Sequence, residues 1–435
     1  MATVEAASSA EGLPIEVRRT LTGGAIAMFV DSWDIYLPAF ILPAAMAYFE
    51  PASLSTETKA TLTTLIFTVG LLGRPLGSPI FGHLADTIGR KRTAMISGAG
   101  FTFLTLLMAL LPGYAQWGMA SIGAMLALRL LVGMFVSGGY AAPIPLALER
   151  SPKAMRGLVG GLIAAPAAVA VLGMNLVQSL ALEIPHDAFL RWGWRIPFLL
   201  GVLFGVIYLV HYAGVPEADM KAIRAEAKGR QPLAEVFSRE NLRSMGQVLL
   251  LTTGFWLAAQ MVVSFLPTLL IQVLHQPALS VTWFLTASHL LQIVAMILFG
   301  VLSQRIGRRR LLVLMGAWIV VIATPALFAM IELASHGASF ALVATLAFLA
   351  TMLTAAPLSA FIVYLNERFP ARVRSTGFAV SYTAGLVIPG LYSFWLLGLS
   401  YVLPYQYTAL VLVALGGVFV FVAARLGPET RDAEM

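Results

Sequence analysis

The stretch GHLADTIGRKR (Gly82–Arg92) recurs, with changes, as GVLSQRIGRRR (Gly300–Arg310), 218 residues further along the chain. A second pair repeats at the same offset, ERSPKAMR (Glu149–Arg156) and ERFPARVR (Glu367–Arg374). Two independent matches at one offset, close to half of the 435 residues, indicate that the chain consists of two related halves.

The composition places both halves in a membrane. Of the 435 residues, 59% are hydrophobic and 11% are charged, whereas a soluble globular chain is about half apolar and about a quarter charged. A soluble enzyme therefore does not fit. The 38 Gly and 23 Pro are scattered among long apolar runs, unlike those of collagenous or disordered chains. The chain has no Cys, which excludes disulfides and thiolate metal sites.

Twelve apolar segments are long enough to cross the hydrocarbon core as helices, which takes about 20 residues each. They lie at 21–48, 60–82, 93–112, 119–147, 157–182, 195–214, 244–274, 282–304, 311–333, 340–365, 375–398 and 404–426. The predicted fold class is an all-α integral membrane protein with twelve transmembrane helices in two pseudo-symmetric six-helix bundles. Transporters of this architecture bind substrate near the bilayer midplane, between the repeats.

Basic residues set the predicted orientation. With both termini and alternate loops on the cytoplasmic side, that side holds 23 of the 28 Lys and Arg residues. The others are Lys59, Arg191 and Arg195, in or beside external loops, and Arg74 and Arg129, inside spans. The sequence therefore predicts a multi-pass plasma-membrane protein of the bacterial inner membrane, with both termini in the cytoplasm.

The domain boundaries follow from the spans and the repeat. The predicted parts are a cytoplasmic tail at 1–20, a first bundle at 21–214, a cytoplasmic linker at 215–243, a second bundle at 244–426 and a cytoplasmic tail at 427–435. The linker contains AIRAEAKGR, for which we predict a helix lying on the membrane surface.

Four stretches carry a resemblance to a known family. They are VDSWDIY (Val30–Tyr36), RPLGSPIFGHLADTIGRKR (Arg74–Arg92), WGWRIPFLLG (Trp192–Gly201) and ERFPARVRSTGFAVSYTAG (Glu367–Gly385). Over nearly its whole length the chain resembles the major facilitator superfamily, and more narrowly its metabolite:proton symporter group. The resemblance implies carriage of dicarboxylates, citrate, shikimate or zwitterionic osmolytes.

Two positions depart from the pattern of that group. Gly139 stands where the group commonly has an acidic residue in the fourth span. Gln304 of the second repeat stands where Asp86 supplies an acid in the first.

Four ionisable residues lie in the middle of predicted spans: Asp31, Asp34, Arg74 and Arg129. Because a charge in hydrocarbon is costly, each is a functional candidate. We expect Asp34 and Asp31 to couple transport to protons, and Arg129 and Arg74 to bind a substrate carboxylate, which matches the guanidinium fork. The alternatives are a structural ion pair between Asp34 and Arg129, and an Arg129 that bonds backbone carbonyls.

Other substrate contacts are expected from polar and aromatic side chains inside spans, chiefly Trp33, Tyr36, Gln260 and Tyr382. The alternative for such residues is hydrogen bonding between helices or an aromatic belt at the membrane interface. His289 stands alone in its span, which is more typical of a packing residue than of a proton relay.

The repeated loop motifs predict a conformational gate. Their glycines permit tight turns, and their charges can form pairs between helices that break when the protein switches conformation. The predicted gate residues are Gly82, Asp86, Gly89, Arg90, Arg92, Glu149, Gly300, Gly307, Arg308, Glu367 and Arg374.

The sequence contains no GxSxG, HExxH or GxxxxGK[ST] motif, so neither an enzyme nor an ATP-driven pump is indicated. We predict a secondary active transporter that imports a small organic anion, a mono- or dicarboxylate with aromatic acids included, by proton symport with alternating access. Its expected partners are that anion and the lipid bilayer. We expect a monomer that needs no cofactor or metal besides the coupling proton and binds no nucleic acid.

The alternatives are a proton-coupled importer of a zwitterionic osmolyte or amino acid, a facilitated exporter and, more remotely, a membrane-embedded enzyme or sensor. The two arginines separate an anion from a zwitterion. Guanidiniums of Arg129 and Arg74 that face a central cavity favour an anion, whereas salt-bridged guanidiniums beside an aromatic box favour a quaternary ammonium.

Overall fold

The structure, a computed structural model, describes residues 15–51, 53–54, 56–215 and 235–435. These residues form helices and connecting turns, with no strand among them. The predicted surface helix of the linker falls in residues 216–234, and most of the predicted N-terminal tail falls in residues 1–14. Both therefore lie outside the described residues.

Twelve segments, named α1–α12, follow the twelve predicted spans, and several consist of consecutive helices. Their bounds are α1 Ile15–Phe49; α2 Thr56–Thr87; α3 Arg90–Ala109; α4 Ala120–Val136, Gly138–Ala141 and Pro143–Glu149; α5 Arg156–Leu182; α6 Ile196–Ala213; α7 Arg239–Gln260, Met261–Phe265, Leu266–Thr268 and Leu269–Val273; α8 Ala278–Ile306; α9 Arg308–Trp318, Ile319–Ala323 and Thr324–Ser335; α10 Phe340–Ala355 and Leu358–Glu367; α11 Arg374–Gly385, Val387–Gly390 and Tyr392–Ser400; and α12 Tyr405–Leu426.

Length and hydropathy identify most of these segments as membrane spans. In the described part of the chain, 10 helices are long and apolar enough to cross, and α1 makes 11 as a pair of helices bent by 49° between Pro38 and Phe40, four residues before Pro43. Proline breaks the backbone hydrogen-bond ladder of a helix, which explains that bend. The longest helix of α4, Ala120–Val136, has 17 residues, and the segment completes its crossing through two shorter helices.

The helices extend further than the predicted apolar runs. α2 ends at Thr87 and α8 at Ile306, past the predicted ends at residues 82 and 304, and α7 begins at Arg239 rather than 244. The reason is that helical hydrogen bonding continues into the headgroup region, where hydropathy no longer marks the helix.

The two halves meet mainly along two helix pairs, α5–α8 and α2–α11. Under the 218-residue repeat, α2 corresponds to α8 and α5 to α11, so the two contacts are pseudo-symmetric copies of each other. Both halves have apolar cores rich in aromatic side chains, with Phe49 and Trp194 in the first and Phe255 and Phe361 in the second.

Backbones approach closely at these contacts. A Cβ atom at Gly300 of α8 would lie 2.3 Å from the carbonyl oxygen of Gly157 of α5. At the equivalent place a Cβ atom at Gly82 of α2 would lie 2.7 Å from Cα of Thr376 of α11. Glycine is therefore required at both positions. They lie at the end of the bundle that carries the α2–α3, α4–α5, α8–α9 and α10–α11 connections and the segment after α12; we call it the basic end, and the opposite end the far end.

Gly300→Ala tests the α5–α8 approach. The added methyl group has no room, so the two helices must move apart, and we expect a loss of about 1–3 kcal/mol in stability. The measurement is the thermal unfolding midpoint of the purified protein. Gly123→Ala in α4 is the matched control, because no atom lies within 4 Å of its Cβ position. Equal midpoints for the two variants would contradict the role given to Gly300.

Candidate functional site

The four mid-span ionisable residues meet in one buried group between α1, α2 and α4, which we call the charge cluster (Asp31, Asp34, Arg74 and Arg129). Arg74 Nη1 donates to Asp31 Oδ1 at 2.6 Å, and Arg129 Nη1 donates to Asp34 Oδ1 at 2.7 Å. Arg74 Nη2 lies 3.6 Å from Asp34 Oδ2, which links the two pairs. Each of the four residues is at most 5% exposed.

Helix geometry brings these side chains together. Asp31 and Asp34 are three residues apart, so they share a face of α1. α2 and α4 touch through glycines: a Cβ atom at Gly133 would lie 2.0 Å from the carbonyl oxygen of Gly70. A Cβ atom at Gly70 would also lie 2.6 Å from Arg129 Nη2, so the guanidinium occupies the space beside this glycine. Sequence reasoning missed Gly70, although the regular spacing of small residues along α2 is a signal for such packing.

The charge cluster contains two carboxylates and two guanidiniums. Because isolated charges are costly in a low-dielectric interior, a balanced set is the arrangement that burial permits. The Asp34–Arg129 ion pair of the alternative interpretation is present in this conformation. In the described part of the chain, no three His, Asp or Glu side chains come together in a group that could hold a metal ion.

A small cavity of about 40 Å³ lies between the halves beside the charge cluster, and we call it the central cavity. Its wall comes from α1, α5, α7, α8, α10 and α11, and includes Asp31, Tyr36, Trp256, His289, Gln292 and Tyr382. Of the charge cluster, Asp31 alone belongs to this wall as described, and the two guanidiniums lie behind it.

The second half contributes hydrogen-bonding and aromatic groups to the central cavity. His289 Nδ1 lies 3.1 Å from Gln292 Oε1, and both residues are buried. The rings of Trp256 and Tyr382 meet edge to face with centroids 6.3 Å apart. His289, for which the sequence favoured a packing role, therefore lies in the cavity wall opposite the first half.

A larger pocket of about 610 Å³ opens at the far end, between α1, α2, α5, α7, α8 and α11. Tyr36 lines both this outer pocket and the central cavity, so this residue lies at the boundary between them. The route from the far end thus reaches almost to the charge cluster.

Two predicted substrate residues lie away from the central cavity. Trp33 Nε1 donates to the carbonyl oxygen of Pro197 at 3.1 Å, and its ring packs against Phe204 inside the first half. Gln260 is buried and accepts a hydrogen bond from Ser264 Oγ at 2.7 Å. Neither side chain belongs to the described wall of the cavity.

The fourth-span departure has a structural counterpart. A cavity of about 20 Å³ lies beside Asp31 and is lined in part by Gly139. A Cβ atom at Gly139 would meet nothing within 4 Å. Where the resembling group commonly carries an acid, this chain therefore leaves open space next to Asp31.

Two networks hold the halves together at the basic end. In the first, Asp86 Oδ2 accepts hydrogen bonds from the backbone nitrogen and Oγ1 of Thr376, at 2.9 and 2.7 Å. Glu149 Oε1 lies 2.7 Å from both Arg90 Nη2 and Arg374 Nη1. Because Thr376 and Arg374 belong to α11, this network ties the first half to the second.

The second network occupies the equivalent place in the repeat. Gln304 Oε1 accepts hydrogen bonds from the backbone nitrogen of Gly157 at 3.2 Å and from Arg308 Nη2 at 2.6 Å. Arg308 Nε lies 3.4 Å from Glu367 Oε2. Gln304 therefore accepts a backbone hydrogen bond from the other half, as Asp86 does, but without a negative charge.

The remaining predicted gate residues lie at the starts of two helices. Gly89 and Gly307 each precede a helix with φ of 102°, a left-handed conformation that favours glycine. Arg92 is exposed in the first turn of α3.

Sequence reasoning missed the segment after α12. Thr430 Oγ1 donates to Glu367 Oε2 at 2.7 Å, and Arg156 Nη1 of the first half donates to the carbonyl oxygen of Ala433 at 2.7 Å. The segment therefore connects the second network to α5. A short polar stretch after the final span gives no hydropathy or repeat signal for such a role.

Comparison with known proteins agrees with this architecture. The Major Facilitator Superfamily profile matches residues 24–282 and 248–434. Alpha-ketoglutarate permease of Escherichia coli (strain K12) is 28% identical over 384 residues, which cover 85% of this chain and 84% of that protein. The proline/betaine transporter of Salmonella typhimurium (strain LT2) is 27% identical over 388 residues, which cover 86% of this chain and 76% of that protein.

Among solved structures, the proton:xylose symporter XylE bound to 6-bromo-6-deoxy-D-glucose superposes with a TM-score of 0.74 at 15% identity, covering 95% of this chain and 96% of that chain. This likeness shows a shared fold, and the profile matches both halves. The chain therefore belongs to the major facilitator superfamily and is a multi-pass secondary transporter rather than an enzyme.

Proposed function

We propose that this protein imports a small carboxylate-bearing solute together with protons, with an organic mono- or dicarboxylate anion as the first candidate. The observation that carries the proposal is the balance of the charge cluster, in which two carboxylates and two guanidiniums are buried together. In this proposal the membrane is a bacterial inner membrane and the basic end faces the cytoplasm, because Lys and Arg collect there.

Proton entry is assigned to Asp31, because this carboxylate lines the central cavity. A proton on Asp31 leaves two guanidiniums facing the single negative charge of Asp34. An uncompensated guanidinium in a low-dielectric interior is costly, so the protonated cluster favours an incoming carboxylate on Arg74. A monocarboxylate and this proton then cross as a neutral set, whereas a dicarboxylate carries one further negative charge. Asp34 bonds Arg129 and lies near Arg74, so it keeps both guanidiniums in position.

The solute enters from the far end in this scheme. The central cavity of about 40 Å³ is far smaller than ligand pockets usually are, at about 300–1,000 Å³. Binding therefore requires Tyr36 to move and join the cavity to the outer pocket. The two networks at the basic end must then break before the solute leaves, since they close that side.

A zwitterion is the second candidate, and the state of the arginines favours it. Both guanidiniums are salt-bridged and lie behind the cavity wall, while Tyr36, Trp256 and Tyr382 supply aromatic groups that attract a quaternary ammonium. The two relatives are named for the two classes, alpha-ketoglutarate and proline or betaine. Charge balance ranks the anion before the zwitterion. A zwitterion brings no net charge, so a protonated charge cluster would keep its positive charge after the zwitterion binds.

A binding screen separates these candidates. We expect mono- or dicarboxylates to raise the thermal midpoint of the purified protein, and to raise it more at acidic than at neutral pH, because protonation of Asp31 frees a guanidinium. Glycine betaine and proline serve as zwitterions of similar size and should give no shift. Stabilisation by glycine betaine but by no mono- or dicarboxylate would replace the first candidate with the second.

Asp31→Asn tests proton coupling. The amide imitates the protonated carboxyl group, so we expect solute exchange across proteoliposomes to persist while accumulation driven by a proton gradient is lost. The comparison variant, Asp34→Asn, breaks a buried pair outside the cavity wall and is expected to cost about 3–5 kcal/mol in stability. An Asp31→Asn protein that accumulates solute with unchanged pH dependence would remove Asp31 from the mechanism.

Glu149→Gln tests the closed basic end. The variant removes the negative charge that Arg90 and Arg374 share. Loss of one charge-assisted hydrogen bond costs roughly 1.5 kcal/mol, which corresponds to about tenfold more frequent opening of the basic end. Because the chain has no Cys, a single Ser359→Cys at the buried α5–α10 contact reports that opening by its alkylation rate. Glu332→Gln at the far end is the matched control. If Glu149→Gln, like the control, leaves the alkylation rate unchanged, Glu149 does not keep the basic end closed.

A further inference from the structure

A pocket of about 600 Å³ opens at the basic end of the second half, between α7, α9, α10 and α12. Four arginines line it: Arg243, Arg309, Arg368 and Arg425. We call it the arginine pocket. It is separate from the central cavity and from the outer pocket, and the transport scheme above makes no use of it.

Arg368, directly after α10, is held by neutral groups. Its Nε donates to Gln247 Oε1 and its Nη2 to Ser244 Oγ, both at 2.9 Å. Burial lowers the pKa of the Arg368 guanidinium, and the charge of Arg243 acts in the same direction, while Tyr364 opposes it. Like charges therefore lie close together in a partly desolvated place.

Arg309 and Arg425 also have neutral partners. Arg309 Nε and Nη2 donate to the carbonyl oxygens of Ala424 and Arg425 at 3.3 and 3.0 Å. The Arg425 guanidinium lies 5.1 Å from the ring centroid of Phe421. Among the side chains that the structure describes, no carboxylate forms an ion pair with any of the four arginines.

The neighbouring acid, Glu429, is engaged by backbone groups. Its Oε1 accepts from the backbone nitrogens of Arg308 at 2.7 Å and of Thr430 and Arg431 at 3.0 Å, and its Oε2 accepts from the nitrogen of Arg309 at 3.2 Å. A carboxylate at this place interacts with the positive end of a helix dipole. The arginine pocket therefore retains a strong positive charge.

We propose that the arginine pocket binds a phosphate group, carried either by an anionic phospholipid headgroup or by a soluble phosphate compound. Guanidinium forks match phosphate in charge and in the spacing of their N–H groups. Basic pockets between membrane helices attract anionic headgroups. Arg243, Arg425 and Leu426 are exposed at its rim, so a ligand has access from the membrane–water boundary.

The pocket also adjoins the second network. Arg309 and Arg368 directly follow Arg308 and Glu367, which form the ion pair of that network. A phosphate that bridges Arg309 and Arg368 therefore joins the ends of α9 and α10 beside this pair.

The test uses the full-length protein purified in a neutral detergent. Arg243→Gln/Arg425→Gln removes the two exposed arginines of the pocket, and Arg305→Gln/Arg310→Gln removes two exposed arginines of the same end that do not line it. The probes are phosphatidylglycerol, with phosphatidylcholine as the zwitterionic lipid reference, and inorganic phosphate. We expect the probe that binds the wild type, which we call the effective probe, to bind the pocket variant about thirtyfold more weakly and the control variant almost as well as the wild type. The factor corresponds to two arginines that each contribute about 1 kcal/mol to the binding of an anionic headgroup.

Each outcome either supports or overturns the proposed phosphate site. Weakening seen only with phosphatidylglycerol supports a lipid headgroup, and weakening seen with inorganic phosphate supports a soluble compound. Equal binding by wild type and pocket variant, or an equal loss in the control variant, overturns the proposal. A measurement on the wild type guards against misfolding: the effective probe should protect Arg243 and Arg425, but not Arg310, from phenylglyoxal. Equal protection of all three would also overturn it.

Discussion

Charges buried in the middle of a membrane-spanning bundle have to sum to nearly zero, and this constraint governs the first half of the molecule. Asp31, Asp34, Arg74 and Arg129 satisfy it with two pairs joined at Arg74. Gly70 and the tight α2–α4 contact leave the space that the Arg129 guanidinium occupies. Since Asp31 also borders the central cavity, a change in its charge alters the electrostatic potential inside that cavity.

The contacts at the basic end meet a different requirement. They have to hold the two halves together in one conformation and break in another. Two pseudo-symmetric helix pairs share that work, and their networks differ in charge. The first joins the halves through Asp86 and the Glu149–Arg374 pair, whereas the second uses the neutral amide of Gln304. The open far end and the joined basic end together match one state of an alternating-access cycle.

Much of this architecture could be predicted from the sequence, because the bilayer sets the hydropathy of the spans and makes mid-span charges rare, and because the repeat offset shows two related halves. The twelve segments, the two related halves and the four central charges all carry such signals. The direction in which a side chain points within a bundle has no such signal in the sequence. Trp33 and Tyr36 lie three residues apart, yet Trp33 packs inside the first half while Tyr36 lines the central cavity. Every face of an inner helix is apolar, so periodicity cannot separate these two roles. For the same reason a lone His289 gave no hint of its place.

The two halves contribute unlike chemistry to the central cavity. All the paired charges beside it belong to α1, α2 and α4, whereas the opposite wall presents amide, imidazole and aromatic groups from α7, α8 and α11. In the proposed scheme the first half therefore holds the proton and the carboxylate of the solute, while the second half contacts the rest of the solute. Laboratory evolution towards a new cargo that keeps its carboxylate would accordingly begin with mutagenesis of α7, α8 and α11.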